Sequence, residues 1–144
     1  MTRRRILLSV LALIIAVGGT LAFKMFRPAP TGTDFARTRA TANGLYTVAI
    51  APEKEPFVRD ALHSWIVTVK NKTGSPVEKA TIDVGGGMPQ HGHGLPTAPK
   101  MTAELGQGRY RVEGVKFSMF GWWEFSFAIK APPGNDTVVF NLKL

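Results

Sequence analysis

The sequence WWEFSFAIK, residues 122–130, alternates large apolar side chains with polar or small ones. Trp123, Phe125, Phe127 and Ile129 fall on one face of an extended chain, because successive side chains of a strand point to opposite sides. This period of two residues is typical of a strand with one buried face. The stretch therefore predicts a strand that carries Trp123 into the core.

The same alternation recurs along the chain from residue 44 onward. The further alternating segments are 45–50, 62–71, 77–84, 100–105, 109–119 and 137–144. Turn sequences separate them, including Gly106-Gln107-Gly108 and Pro132-Pro133-Gly134-Asn135. About seven short strands without a soluble helix predict an all-β domain over residues 44–144, an immunoglobulin-like antiparallel β-sandwich with Trp65 and Trp123 at its centre.

The N-terminal segment has a different composition. Ile6 to Phe23 is a run of 18 residues without a charge, and as a helix it spans roughly 27 Å, close to the thickness of a bilayer core. Arg3 to Arg5 precede it, which predicts a cytoplasmic basic tip at 1–5 and a single-pass anchor at 6–26. A cleaved signal peptide is the alternative, with Thr20-Leu21-Ala22 as its cleavage site. Either interpretation places the C-terminal domain outside the cytoplasm, joined by a flexible tether at 27–43 that is rich in Pro, Thr and Ala.

Charge and cysteine content exclude several classes of function. The formal net charge is +8, but beyond residue 27 thirteen Lys and Arg face ten Asp and Glu, which leaves only +3. We therefore expect no nucleic-acid partner. The chain has no cysteine, so disulfides, thiolate zinc sites and blue copper are excluded.

A segment rich in glycine, 85–99, interrupts the alternation. We interpret its three leading glycines as the end of the strand at 77–84. Met88, His91 and His93 follow, and a thioether with two imidazoles is a ligand set that suits copper. Met101 and Met119 lie at predicted strand ends and are possible further ligands, or core residues. The alternative is a structural turn whose histidines bond to the backbone.

Two other features concern partners and catalysis. Trp122 lies opposite the core-facing set, so we predict that it packs under the glycine-rich segment or contacts a partner. We expect no enzyme: Glu104, Glu113 and Glu124 fall on outward faces, and no lysine with serine or threonine follows Gly85-Gly86-Gly87 to make a phosphate loop.

The residues from Gly86 to Pro99, with Gly108-Arg109-Tyr110 and Gly121-Trp122-Trp123-Glu124, resemble the YtkA-like domain family. That family is related to FixH-like exported domains, and some members are labelled auxin-binding. The resemblance implies a bacterial, membrane-tethered or secreted immunoglobulin-like domain, at the outer side of the cytoplasmic membrane. FixH-like relatives are associated with copper delivery to haem–copper oxidases, which implies copper contacts at Met88, His91 and His93 and an oxidase complex as partner. FixH-like proteins do not characteristically carry the His-Gly-His sequence, so a metal-free assembly module is the alternative.

Overall fold

The computed structural model describes residues 3–25 and 29–144, and within the N-terminal helix the side chains of residues 8–19. Helix α1 spans Arg3–Met25. Among the described residues, no helix combines the length and hydropathy that crossing a membrane requires. The side chains of the predicted basic tip, 1–5, and those at both ends of the predicted anchor, 6–26, lie outside the described set.

Within the described residues 29–144, nine strands form two sheets, in which every pairing of neighbours is antiparallel. The strands are β1 Thr38–Ala40, β2 Tyr46–Pro52, β3 Leu62–Asn71, β4 Thr81–Met88, β5 His93–Gly94, β6 Lys100–Gly106, β7 Arg109–Lys116, β8 Trp122–Ala131 and β9 Gly134–Lys143. One sheet has the order β1-β2-β3-β7-β6 and the other has the order β5-β4-β8-β9. The predicted all-β sandwich is confirmed.

The core lies between the two sheets and is strongly aromatic. Trp65 and Trp123 are fully buried, as predicted. The Trp65 ring contacts Phe125 at 5.4 Å and the Trp123 ring contacts Phe117 at 5.3 Å between centroids, both edge to face. Edge-to-face pairs of this kind add about 0.5–1.5 kcal/mol to the burial of their area. The Trp65–Phe125 pair joins the two sheets, and the Trp123–Phe117 pair joins β8 to the segment after β7.

Strand β4 differs from the sequence prediction. It runs on from Val84 through Gly85-Gly86-Gly87 to Met88, instead of ending at Val84. A Cβ on Gly86 would lie 2.3 Å from the Glu124 carbonyl oxygen, and one on Gly87 would lie 2.3 Å from the His93 carbonyl oxygen. The glycines therefore extend the strand because its two neighbours approach more closely than a side chain permits.

The predicted tether, 27–43, also contains regular structure. Strand β1 lies within it and pairs with β2, with Thr38 opposite Ala49. The same segment contacts the second sheet, since Arg39 Nη1 donates to the Val139 carbonyl at 2.6 Å and Asn141 Nδ2 donates to the Asp34 carbonyl at 2.7 Å. From Asp34 onward the segment thus closes one side of the sandwich.

One end of the sandwich collects the features that matter for function. Strands β3 and β8 begin there, and β4 and β9 end there, because Trp122 pairs with Lys143 and Gly87 pairs with Glu124. Segment 117–121 joins the end of β7 to the start of β8 across this end. We call this end of the sandwich the hairpin end, after the turn between β4 and β5.

Candidate functional site

The histidine hairpin, Met88–His93, connects β4 to the short edge strand β5. The backbone N–H groups of His91 and Gly92 both donate to the Met88 carbonyl at 3.0 Å. Met88 pairs with His93, and the Leu95 N–H donates to the Gly86 carbonyl at 3.1 Å. The two histidines are therefore positioned by backbone hydrogen bonds to the end of β4, where Gly86 and Gly87 carry no side chain and Met88 lies opposite His93.

The two imidazoles lie side by side. Their ring centroids are 5.9 Å apart and their planes are inclined by 28°. The His93 ring is exposed, and its Nδ1 lies 2.9 Å from the Gly94 carbonyl oxygen. Because a carbonyl oxygen only accepts, Nδ1 carries the proton in this contact, and in the neutral ring Nε2 keeps a lone pair that can bind a metal.

Met88 and Trp123 form a buried floor next to the hairpin. Met88 is directly opposite His93 in the ladder, so the two side chains are on the same face of the sheet. Met88 is 1% exposed, and its Cε packs where Gly121 leaves room for it. The Trp123 ring meets the His93 ring edge to face at 5.7 Å. The structure therefore brings Met88 and the two histidines together at one edge.

The two further methionines have different surroundings. Met101 lies on β6 in the other sheet, with its Cα opposite Val112, and it packs against the core. Met119 also packs against the core, and its carbonyl accepts a hydrogen bond from Trp123 Nε1 at 3.0 Å. Met119 thus supports the ring that His93 contacts, which is a positioning role.

Glu124 is a neighbour of the hairpin that the sequence analysis assigned to a solvated face. It is half-buried, and with Met88, His93 and several glycines it lines a shallow depression of about 380 Å³. Glu124 lies opposite Gly87 of β4, and because Gly87 has no side chain, none separates Glu124 from β5 at this position. Nowhere in the part of the chain that the structure describes do three His, Cys, Asp or Glu side chains converge on one point.

Trp122 lies on the outer face, as its register predicted, but it is half-buried. Its Nε1 donates to Asn141 Oδ1 at 2.9 Å. It lines a cavity of about 290 Å³ beside segment 29–35. The segment next to Trp122 is therefore the N-terminal one, whereas the glycine-rich segment lies at β4 and β5. Contact with a partner through Trp122 stays a prediction.

Two groups with shifted pKa values lie away from the hairpin. Burial acts to raise the pKa of Asp136, but hydrogen bonds from the Thr41 hydroxyl and from the backbone N–H groups of Asn43, Thr137 and Leu45 outweigh it and hold that pKa far below its ordinary value. Burial raises the pKa of Tyr110. Asp136 and Tyr110 secure loops to the strands, and we assign them structural roles.

Comparisons with known proteins give a family and a distant structural likeness. The family described as YtkA-like matches residues 39–128. No curated protein matches the chain. Among solved structures, the ZirS C-terminal domain is similar at 16% identity and a TM-score of 0.41, over 83% of this chain and 77% of that one.

Proposed function

The chain belongs to the YtkA-like family, and on that premise we propose that it is an extracytoplasmic accessory domain that binds copper at the histidine hairpin. His91 and His93 supply the imidazoles and Met88 the thioether. The apolar run Ile6 to Phe23 anchors it to the cytoplasmic membrane, and it serves metal handling or the assembly of a membrane complex such as a haem–copper oxidase.

The pair of imidazoles is the observation that carries the copper assignment. With metal–nitrogen bonds of about 2.0–2.1 Å, two imidazoles on one ion hold their ring centroids roughly 5–6 Å apart. The centroids of His91 and His93 are 5.9 Å apart. The Gly94 carbonyl fixes the His93 tautomer that leaves Nε2 free, which is a usual device for orienting a metal-binding histidine.

The surroundings favour copper over harder ions. Met88 is on the His93 face, and a thioether with imidazoles prefers Cu(I) to Mg²⁺ or Ca²⁺. Zinc sites usually have three or four nitrogen, sulfur or carboxylate ligands, and two histidines with a methionine do not meet that requirement. The buried side chains of Met88 and Trp123 limit access of water to the histidines from the side of the core.

Topology and location support an accessory role. The orders β2-β3-β7-β6 and β4-β8-β9 are those of the ABED and CFG sheets of an immunoglobulin-like domain, a fold whose end loops commonly bind partners. The hairpin is at the end where segment 29–35 enters the sandwich. An anchor at 6–26 would therefore hold the copper ligands near the membrane and near a membrane-embedded partner.

A copper titration of the purified, untagged full chain in detergent tests this proposal. We expect one Cu(I) per chain under anaerobic competition with a chromogenic chelator, and loss of that binding in the double variant His91→Ala/His93→Ala. His63→Ala is the matched control, because the ring of His63 bonds to Val58 on a separate loop. Weak binding that the double variant leaves unchanged refutes copper as the ligand.

A second candidate function is a metal-free assembly module that docks through Trp122. The cavity beside the Trp122 ring is open to solvent and supports this candidate. Co-purification of a membrane complex from solubilised membranes, lost in Trp122→Ala and unaffected by a copper chelator, would favour it. Co-purification that depends on the two histidines and on copper would favour the first candidate.

A further inference from the structure

We infer that the hairpin end rests on the surface of a lipid bilayer, through Val58, Leu62 and Phe120. This inference relies on the anchoring proposed above. The three side chains are 49%, 69% and 67% exposed. Single exposed apolar side chains are common, but a contiguous patch of them marks a surface that contacts a membrane, a ligand or another protein.

The three residues lie on neighbouring segments: Val58 precedes β3, Leu62 begins it, and Phe120 belongs to segment 117–121. Val58 and Leu62 line the same cavity of about 370 Å³. The Arg59 guanidinium carbon is 4.6 Å from the centroid of the Phe120 ring, which joins that ring to the loop before β3. The Asp60 N–H donates to the Phe117 carbonyl at 2.8 Å, so the two loops are also joined by backbone.

The proposed membrane anchor is joined to the domain close to the hairpin end. Helix α1 ends at Met25, and Ala29 already lies in the cavity beside Trp122 and Lys143 at the hairpin end. Four Cα–Cα steps of about 3.8 Å span at most about 15 Å. The end of α1 is therefore within that distance of the hairpin end, whatever the path of the three residues between.

The helix that arrives there is apolar on all its described faces. Its large exposed side chains are Leu8, Val10, Leu11, Leu13, Ile14, Ile15 and Val17. A helix with these side chains all round is suited to hydrocarbon. The exposed patch and the helix are thus two apolar surfaces held within a short covalent distance of each other.

The charges around the patch fit lipid headgroups. Lys54 and Glu53 line the cavity with Val58 and Leu62, and Glu53 is paired with Arg111, while Arg59 and Lys116 flank Asp60. The basic groups around the patch thus outnumber the acidic ones. Basic side chains with apolar stems around exposed aliphatic and aromatic groups are typical of proteins that lie in the interface of an anionic bilayer. The occupant that this arrangement favours is therefore a bilayer with anionic lipids.

Spin labelling of the full chain tests the inference cleanly, because the natural sequence has no cysteine. Phe120→Cys carries a nitroxide at the patch. Lys72→Cys carries one at the far end, beyond the last residue of β3, about 30 Å away along ten strand residues. Both chains are placed in vesicles of zwitterionic lipid with one-third phosphatidylserine, and vesicle flotation is checked first. Power saturation with oxygen and with a water-soluble nickel chelate then reports the depth of each label.

We expect the label at 120 to lose accessibility to nickel and gain it to oxygen, while the label at 72 stays accessible to nickel. A label at Val58→Cys should show the same protection and lose it when Phe120→Glu is added. A chain that floats with the vesicles but whose label at 120 is as open to nickel as the label at 72 overturns the docking and leaves the anchor intact. A chain that does not float overturns both. Protection that appears only after a solubilised membrane extract is added assigns the patch to a protein partner and overturns the lipid assignment.

Discussion

Replacing the three glycines of β4 one at a time by alanine separates the role of the hairpin from that of the sandwich. At Gly85 the new Cβ would be 2.9 Å from the Ser126 hydroxyl oxygen, which can rotate away. At Gly86 it would be 2.3 Å from the Glu124 carbonyl oxygen. At Gly87 it would be 2.3 Å from the His93 carbonyl oxygen. The three clashes therefore fall on a side chain, on the central strand β8 and on the edge strand β5.

The expected loss of stability follows from what can move. Strand β8 is held on both sides by long ladders, so Gly86→Ala strains the sheet, and its φ of 151° is unfavourable for a residue with a Cβ. Overpacking of this kind costs about 1–3 kcal/mol, which lowers Tm by roughly 4–12 °C in a domain of this size. Gly87→Ala meets only β5, which two residue pairs attach, so β5 detaches and Tm falls by less than about 4 °C. Gly85→Ala should be neutral or slightly stabilising, since glycine in a strand costs roughly 0.5–1 kcal/mol relative to alanine.

Copper binding should follow a different order. Gly87→Ala is expected to weaken Cu(I) binding at least about tenfold, a change of roughly 1.4 kcal/mol, because it displaces His93. Gly85→Ala, the matched control, should bind as the natural protein does. Thermal unfolding followed by circular dichroism and chelator competition measure the two effects on the same samples. A Gly87→Ala protein with normal copper affinity, or with a Tm as low as that of Gly86→Ala, would refute the reasoning.

Three further variants test other parts of the structure. Asp136→Asn should lower the free energy of unfolding at neutral pH, and the difference from the natural protein should shrink as the pH falls below about 4. The reason is that a carboxyl group whose pKa is lowered in the folded state stabilises the fold above its unfolded pKa and loses that effect in acid. Equal urea midpoints at pH 7 would contradict this. Tyr110→Phe should cost about 1–3 kcal/mol in urea unfolding, since the buried Ala80 N–H loses its acceptor, and a change under about 0.5 kcal/mol would contradict it. Asn141→Ala should increase acrylamide quenching of Trp122, whose Nε1 it bonds, and unchanged quenching would contradict that role.

The sequence predicts most of the sandwich because apolar alternation encodes it directly. The segment at 122–130 presents Trp123, Phe125 and Phe127 to the core, and all three are buried. The hairpin turn at Gln107-Gly108 is also predictable, because glycine is the residue that most readily adopts the positive φ such turns require. In the structure both residues have φ near +60°. Elements whose signal is in the side chains are thus accessible to pattern analysis.

The elements missed by the sequence analysis are held mainly by backbone. Strand β1 is only three residues long, and β5 is a two-residue strand ending in glycine. The continuation of β4 through Gly85–Gly87 has no side chains that could alternate. Buried Asp136 was missed for a related reason, because its partners are mostly main-chain N–H groups. Backbone pairing leaves no periodic trace, so only the folded chain reveals it.

The candidate site divides in the same way. The sequence singles out His91, His93 and Met88 from residue type and spacing. The contact of Trp123 with His93 and the position of Glu124 opposite Gly87 depend on the register of β8 against β4, which spacing does not supply. The neighbour of Trp122 depends on the route of segment 29–35, which is set by tertiary contacts.

The way in which the hairpin is attached bears on what a copper ion could do there. Its floor, Met88 with Trp123, belongs to the buried core and shares the stability of the whole domain. His93 lies on β5 and His91 in the turn before it, and two residue pairs with the Leu95 N–H hold β5 in place. Such an edge opens at a lower free energy than the core. A domain that stores copper for its own use gains nothing from ligands that open easily, whereas a domain that passes copper to a partner needs them. The attachment therefore favours transfer over storage as the role of the proposed site.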